Sequence, residues 1–253
     1  MKKIEEAKLI NFFKDKSIFS RKELFDYFLG SEGELKEGTF GWRIYDLKKN
    51  KIIHEVKRGW YTLQAKPAYI PPFNEKVEQL AAIFTKNYRE SKYCVWDINW
   101  INEFTVHQFT KDTYLLETEK DLEESVAHTL SDNGFQNILW SLKGTHLSIT
   151  NSANPVVILP LKSRSPVQLI QTDNGNTIAL PTLEKLLVDI YKENKVFHFV
   201  QGAEMERIFQ NAFSRYWINF TTFFGYAKRR GKEAKLRSFL SQHIPDLVKN
   251  IGE

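Results

Sequence analysis

The spacing of apolar residues in the first quarter of the chain predicts three amphipathic helices in succession. The first covers residues 4–14, and the second runs from a Ser-x-x-Glu capping box at Ser20 to residue 28. A polar connection, residues 30–38, separates it from a third helix that begins at Thr39, a residue type that caps helix N-termini. The apolar face of the third helix consists of Phe40, Ile44 and Leu47.

A β-hairpin is predicted directly after the third helix. Residues 52–56 and 60–63 are short apolar runs, and Lys57-Arg58-Gly59 joins them as a turn. Residues 17–19 supply a third strand beside this hairpin. Three helices and a hairpin in this order are typical of a winged helix-turn-helix, in which one helix enters the major groove of DNA and the hairpin contacts the backbone.

The rest of the chain differs in pattern. Residues 67–92 are a proline-interrupted linker followed by a helix over 74–87. Residues 93–202 alternate strands with helices at 121–133 and 181–193, which indicates an α/β domain. The predicted strands are 93–98, 113–117, 137–141, 156–160, 167–170 and 177–180. Residues 203–253 form a helical bundle of two or three helices that is unusually rich in aromatic residues.

The predicted fold class is therefore α+β. A winged helix-turn-helix at 1–66 precedes the linker, the mixed α/β domain and the helical bundle. We expect the α/β domain to be nucleotidyltransferase-like and non-catalytic.

Positive charge is concentrated at the start of the chain. The whole sequence has 36 Lys and Arg against 31 Asp and Glu, a net charge of +5. Residues 1–66 alone hold 15 of these cations and 10 of the acids, so they account for the entire excess. A locally basic module on a neutral body indicates a nucleic-acid-binding surface rather than a general means of staying in solution.

Eight residues are candidates for contact with DNA. Arg43 carries the guanidinium that pairs with both acceptors of a guanine edge, and Trp42 lies on the same helix face. The turn residues Lys57 and Arg58 are placed to meet phosphates, as are the two residues that open the second helix. The alternatives are a solvated basic face without a ligand and a protein-interaction module. The eight residues are Ser20, Arg21, Thr39, Trp42, Arg43, Lys49, Lys57 and Arg58.

One pair of carboxylates offers a rival, enzymatic interpretation. Alternation along a strand would place Glu117 and Glu119 on one face, where they could hold a divalent metal against the phosphates of a nucleoside triphosphate. The sequence upstream lacks the Gly-Ser turn that would hold those phosphates, and a strand ending at an acidic helix N-terminus explains the pair better. None of the six histidines lies at metal-ligand spacing, and no glycine-rich phosphate loop occurs. We therefore expect no enzymatic activity and no cofactor.

The remaining composition predicts a cytosolic protein. The one cysteine, Cys94, lies in an apolar run and is expected to be a buried small residue rather than a reactive thiol. No secretory segment opens the chain, and no apolar run reaches the length that spans a membrane.

Three segments of the sequence resemble the AbiEi-like antitoxins of bacterial type IV toxin–antitoxin systems. The first is the hairpin, with its Arg58-Gly59-Trp60-Tyr61 ending. The second is residues 180–189, which are similar to that family's Thr-x-x-(Lys/Arg)-x-Leu-x-Asp helix. The third is residues 223–239, similar to its C-terminal bundle. The connection at 30–38 is longer than the resemblance leads one to expect.

The resemblance implies a winged helix joined to a C-terminal antitoxin domain. It implies that the winged helix binds inverted repeats in the promoter of its own operon, with Arg43, Lys57 and Arg58 in contact with DNA. It also implies a functional partner, a separately encoded nucleotidyltransferase-like toxin that the C-terminal domain counters without stable binding. The residues it assigns to the antitoxin surface are Lys228, Arg229 and Arg230, a basic cluster that alternatively binds nucleic acid or an acidic protein, or forms a solvated helix face.

Overall fold

The chain forms a mixed α+β structure with several small sheets. The computed structural model describes residues 3–16, 18–63, 66–108, 110, 112–140, 154–192, 197, 200 and 202–245. The chain divides into two compact units: unit 1 combines residues 1–68 with 215–253, and unit 2 consists of residues 69–214.

Three helices and three strands make up the N-terminal part of unit 1. They are α1 (Lys3–Phe13), β1 (Phe19–Ser20), α2 (Arg21–Glu32), α3 (Glu37–Lys49), β2 (His54–Lys57) and β3 (Trp60–Thr62). The strands form an antiparallel sheet in the order β1–β3–β2. The predicted three helices and hairpin are therefore present. Of the predicted third strand, 17–19, only Phe19 pairs with β3, and residue 17 lies outside the described residues.

Side chains from all three helices and from the sheet fill one core in this part of unit 1. Leu9, Phe13, Phe19 and Phe40 are fully buried there, and the rings of Phe13 and Phe19 stack with centroids 4.0 Å apart. On α3, the predicted apolar face is confirmed, because Phe40 and Leu47 are buried and Ile44 packs against them. Burial of these aromatic rings is the main favourable term for such a small core.

The start of α2 follows the sequence prediction, whereas the start of α3 does not. Ser20 Oγ accepts a hydrogen bond from the Glu23 backbone N–H at 3.2 Å, and Glu23 Oε2 accepts one from the Ser20 N–H at 2.7 Å, so the capping box is formed. The prediction of Thr39 as an N-cap is wrong, because α3 begins two residues earlier at Glu37. Since α2 continues to Glu32, the connection between the helices shortens to residues 33–36.

The hairpin turn lies where the sequence predicts it. Gly59 has a φ of 75°, a left-handed conformation that favours glycine, and its N–H donates to Glu55 Oε1 at 3.2 Å. The pairing of β2 with β3 shifts register between Glu55 and Lys57, so the hairpin carries a bulge next to its tip.

Unit 2 contains a four-stranded mixed sheet with helices and a separate hairpin. Its strands have the order β4–β5–β7–β6, with β4 antiparallel to β5 and both β5 and β6 parallel to β7. Strands β8 and β9 form the hairpin. The elements are α4 (Glu75–Asn87), β4 (Tyr93–Asp97), a 3₁₀ helix (Ile98–Glu103), β5 (Tyr114–Thr118), α5 (Glu123–Asp132), β6 (Ile138–Leu139), β7 (Val156–Pro160), β8 (Val167–Gln171), β9 (Thr177–Pro181), α6 (Leu183–Lys192) and α7 (Ala203–Arg215).

These elements agree with the predicted strands and helices to within a few residues. The largest difference is the predicted strand 137–141, of which only Ile138–Leu139 pairs; residue 141 of that strand and residue 193 of the predicted helix lie outside the described residues. Cys94 is fully buried in β4, as predicted. No helix among the described residues is both long enough and apolar enough to span a membrane.

The C-terminal part of unit 1 consists of two further helices, α8 (Phe220–Arg229) and α9 (Glu233–His243). The sequence predicts that α7, α8 and α9 belong to one domain, 203–253, whose residues from 246 on lie outside the described ones. In the structure, α8 and α9 belong to the same compact unit as the N-terminal elements. Helix α8 contacts β2, and the Arg58 backbone N–H donates to Thr221 Oγ1 at 3.3 Å.

The capping box gives a direct test of how α2 is stabilised. Ser20→Ala removes the oxygen that accepts from the Glu23 N–H, and we expect it to lower the free energy of unfolding by about 1 kcal/mol. Urea unfolding followed by circular dichroism measures this change. Ser31→Ala, in the last turn of the same helix, is the matched control and should shift stability by less than about 0.5 kcal/mol. Equal effects of the two substitutions would contradict the capping role.

Candidate functional site

Unit 1 is strongly basic although its residues come from both ends of the chain. It holds 23 Lys and Arg against 13 Asp and Glu, a net charge of +10, whereas unit 2 holds 13 against 18, a net charge of −5. The sequence analysis located the basic excess of residues 1–66, and folding adds the equally basic segment that contains α8 and α9. Unit 1 is therefore the part of the molecule with the electrostatic character of a nucleic-acid-binding surface.

Helix α3 presents two large aromatic side chains to solvent. Trp42 is 71% exposed and Tyr45 is 55% exposed, and their rings meet edge to face with centroids 5.8 Å apart. Lys49 lies one turn further along the same face and is also exposed, as is Thr39 near the start of the helix. A contiguous exposed aromatic pair beside a lysine is a surface suited to binding rather than to folding.

Arg43, which the sequence analysis assigned to base reading, is engaged within the protein. Its two guanidinium nitrogens pair with the two carboxylate oxygens of Glu32, with Nη2 and Oε2 at 2.7 Å. The guanidinium carbon also lies 4.9 Å from the ring centroid of Phe28. Arg43 lowers the pKa of the Glu32 carboxyl through this hydrogen bond. The side chain thus joins α3 to α2, and base reading would require this bidentate pair to open.

The candidates at the start of α2 have similar internal partners. Arg21 Nη1 and Nη2 donate to the Glu37 carboxylate at 3.2 and 2.6 Å, and the guanidinium lies 4.8 Å from the Phe40 ring centroid. The Arg21 backbone N–H donates to the Gly59 carbonyl at 2.7 Å, which ties α2 to the hairpin turn. Ser20 is used in the capping box. These residues orient α3 and the hairpin rather than present free groups to a ligand.

The hairpin tip and the C-terminal helices supply further cations. Arg58 is exposed, whereas Lys57 is partly buried with Nζ 5.1 Å from the Trp60 ring centroid. Burial lowers the pKa of Lys57, and the positive charge of Arg237 on α9 lowers it further. The C-terminal candidates lie at the end of α8, where Lys228 and Arg229 are exposed and Arg230 is half-buried.

The predicted carboxylate pair of the enzymatic interpretation does not form one site. Glu117 is buried in β5, where its Oε2 lies 2.6 Å from Lys185 Nζ. Glu119 follows the end of the strand, is exposed, and accepts a hydrogen bond from the Lys92 backbone N–H at 3.3 Å. Among the described residues, which exclude His146 and His198, no group of three or more His, Cys, Asp or Glu could hold a metal ion.

Lys185 forms a buried ion network that sequence reasoning missed. Its ammonium is fully buried and lies 2.5 Å from Asp189 Oδ2 on the same helix, in addition to its contact with Glu117. Burial raises the pKa of the Glu117 carboxyl, and the Lys185 charge opposes this shift. The available signal was a pair of opposite charges four residues apart on α6, and both residues belong to the segment 180–189 that carries the family resemblance.

Comparison with known protein families finds a family model that matches most of the chain. The model of a family described as a family of unknown function (DUF6577) matches residues 39–246. This match begins within α3 and includes the hairpin, unit 2 and the two C-terminal helices. No curated protein matches the chain.

The buried network predicts a specific dependence of stability on pH. Lys185→Met leaves two buried carboxylates without their cation, and we expect it to lower the free energy of unfolding at pH 7 by about 3–5 kcal/mol. Without Lys185 the pKa of Glu117 rises further above its ordinary value of 4.5, so the folded protein binds a proton that the unfolded chain has released. Stability of the variant should therefore fall as the pH rises from 5 to 8.

Urea unfolding of the variant at intervals across that pH range measures the effect. Lys86→Met, an exposed lysine on α4, is the matched control and should leave both the stability and its pH dependence unchanged. A Lys185→Met curve parallel to that of the parent protein would show that the Glu117 carboxyl is not held in a desolvated site.

Proposed function

The chain belongs to the DUF6577 family, a family of unknown function, and we propose that it is a DNA-binding transcriptional repressor that binds promoter DNA through unit 1. The observation that carries this proposal is the arrangement of the N-terminal elements. The order α1–β1–α2–α3–β2–β3, with a sheet in the order β1–β3–β2, supports the proposal that these elements form a winged helix-turn-helix. In this arrangement α3 is the helix that enters the major groove, and the β2–β3 hairpin is the wing.

The exposed face of α3 supports the assignment of α3 as the recognition helix. Trp42 and Tyr45 offer ring faces and edges to the bases and to thymine methyl groups, while Lys49 at the end of the same face meets a phosphate. The sequence predicts base reading by both Trp42 and Arg43; the proposal keeps Trp42, adds Tyr45 and leaves out Arg43. Arg43 and Arg21 act instead by holding α3 against α2, so that the recognition face has one orientation.

The charge of unit 1 supports binding to the DNA backbone. Its net charge of +10 includes exposed cations at the hairpin tip and on α8, namely Arg58, Lys228 and Arg229. Phosphate contacts of this kind release counterions and supply most of the sequence-independent affinity. Repression follows by occlusion, since a protein fixed on the promoter blocks access of the transcription machinery.

The resemblance to AbiEi-like antitoxins supplies the biological setting that we propose. The promoter is then that of the protein's own operon, and the partner is a separately encoded nucleotidyltransferase-like toxin. The exposed residues Lys228 and Arg229, with the half-buried Arg230, form the antitoxin surface in this proposal. The alternative of a nucleotidyltransferase with a metal on Glu117 and Glu119 has less support, because Lys185 already neutralises the buried Glu117.

Sequence preference should depend on the aromatic pair. We expect the full chain to bind duplex DNA from its own upstream region more tightly than a shuffled duplex, with an affinity that falls steeply as salt rises. Trp42→Ala should remove the preference and reduce the affinity for the upstream duplex by about tenfold. Fluorescence anisotropy with both duplexes measures this, with Phe12→Ala, another exposed aromatic in unit 1, as the control. Retained preference in Trp42→Ala would contradict base reading by α3.

Backbone binding should depend on the exposed cations. Lys49→Ala and Lys228→Ala should each weaken binding to the upstream and shuffled duplexes alike, and each should lower the slope of log affinity against log salt by about 1. The same salt series measures both slopes. Lys86→Ala, in the acidic unit 2, should leave them unchanged. An unchanged slope for Lys49→Ala would show that α3 is not part of the DNA-binding face. An unchanged slope for Lys228→Ala would show the same for α8.

A further inference from the structure

A pocket of about 780 Å³ lies at one edge of the four-stranded sheet in unit 2. The parallel strands β5 and β7 end there at Thr118 and Pro160, and the Leu161 N–H donates to the Thr118 carbonyl at 2.6 Å. Strand β4 begins at the same edge, because Tyr93 pairs with Thr118. The pocket thus lies outside the carboxyl ends of two parallel strands, the position at which α/β sheets bind ligands.

The walls of this edge pocket are basic, in contrast to the unit around it. Four cations line the pocket, namely Lys92, Lys120, Lys162 and Arg164. Glu119 is the one acidic residue in the lining. Unit 2 as a whole has five more acidic than basic residues. Local excess positive charge inside a concave site attracts an anion with several charges, and Lys and Arg side chains are the usual partners of phosphate groups.

Serine residues and an apolar strand also line the pocket. Ser91, Ser163 and Ser165 belong to the loops that precede β4 and follow β7, and the same loops contain Lys92, Lys162 and Arg164. The β8–β9 hairpin supplies an apolar wall that includes Val167 and Leu169, and Leu169 is 71% exposed. A ligand that suits both regions has a phosphate chain at one end and a flat apolar ring at the other.

The loops that build the basic side are held in an unusual backbone conformation. Arg164 lines the pocket with a φ of 54°, and Asp121, next to the lining residue Lys120, has a φ of 75°. Residues other than glycine seldom adopt this left-handed region, and such strain is concentrated at ligand-binding sites. One such residue lies in each of the two loops after β5 and β7, which contribute to the basic side of the pocket.

We propose that the edge pocket binds a nucleoside triphosphate, with its phosphates among Lys92, Lys120, Lys162 and Arg164 and its base against Val167 and Leu169. This binding site is separate from the DNA-binding face proposed for unit 1. It does not require the metal pair of the enzymatic interpretation, because the phosphates are held by cations and hydroxyls.

Isothermal titration calorimetry of the full chain with ATP, inorganic tripolyphosphate and adenosine tests the proposal. We expect ATP to bind most tightly, tripolyphosphate to bind more weakly, and adenosine to give no measurable heat. Lys120→Ala and Lys162→Ala should each raise the Kd for ATP by about tenfold, since each removes a hydrogen bond to a charged group. Lys86→Ala, an exposed lysine of unit 2 outside the pocket, should leave the Kd unchanged.

Three further results test the base site and the location of the bound ATP. Leu169→Ser should weaken ATP and leave tripolyphosphate unchanged, and equal affinities of the parent protein for ATP and tripolyphosphate would overturn the base site. An excess of duplex DNA should leave ATP bound, whereas displacement by DNA would place ATP on the basic unit and overturn the pocket. Absence of ATP binding, or equal Kd values for Lys162→Ala and Lys86→Ala, would also overturn it. None of these outcomes depends on promoter recognition by α3, so the two proposals fail independently.

Discussion

The fully buried ammonium of Lys185 is the constraint around which unit 2 is organised. A charge in the protein interior is tolerated only when partners of opposite charge replace water, and here they come from two elements, Asp189 on α6 and Glu117 on β5. This network determines the position of α6 against the sheet, because a shift of the helix would separate the Lys185 ammonium from the Glu117 carboxylate. Because Glu117 is paired within this network, it has a structural role. The cations that could bind a ligand in unit 2 lie instead in the pocket at the edge where β5 and β7 end.

In unit 1 as well, some cations stabilise the fold and others are left to bind a ligand. Arg21 and Arg43 each form a two-point pair with a glutamate, and each lies against a phenylalanine ring of the core. These pairs are partly exposed, so each contributes modestly to stability, but together they determine how α2 and α3 meet. The residues left for a ligand are those without such a structural task, above all Trp42, Tyr45 and Lys49 on the outer face of α3.

The two units differ in charge, and this difference separates the two ligands that we propose. Unit 1 has a net charge of +10 and exposed cations on α3, at the hairpin tip and on α8, which suits a long polyanion such as duplex DNA. Unit 2 is acidic overall and concentrates four cations in one concave site, which suits a compact ligand with several charges. The net negative charge of unit 2 disfavours long nucleic acids, while the cations of the pocket still attract phosphate groups.

The sequence by itself determined most of the secondary structure, because local patterns such as the Ser20 capping box, the Gly59 turn and the spacing of Phe40, Ile44 and Leu47 act within a few residues. It also identified Glu117 as a notable carboxylate and the start of the chain as basic. Only the tertiary structure decided what those charges do. It joined residues 215–253 to residues 1–68, paired Arg43 with Glu32, and placed Lys185 beside Glu117 across 68 positions of the chain. Electrostatic partners are set by distance in space, and local sequence patterns carry no information about which distant segments meet.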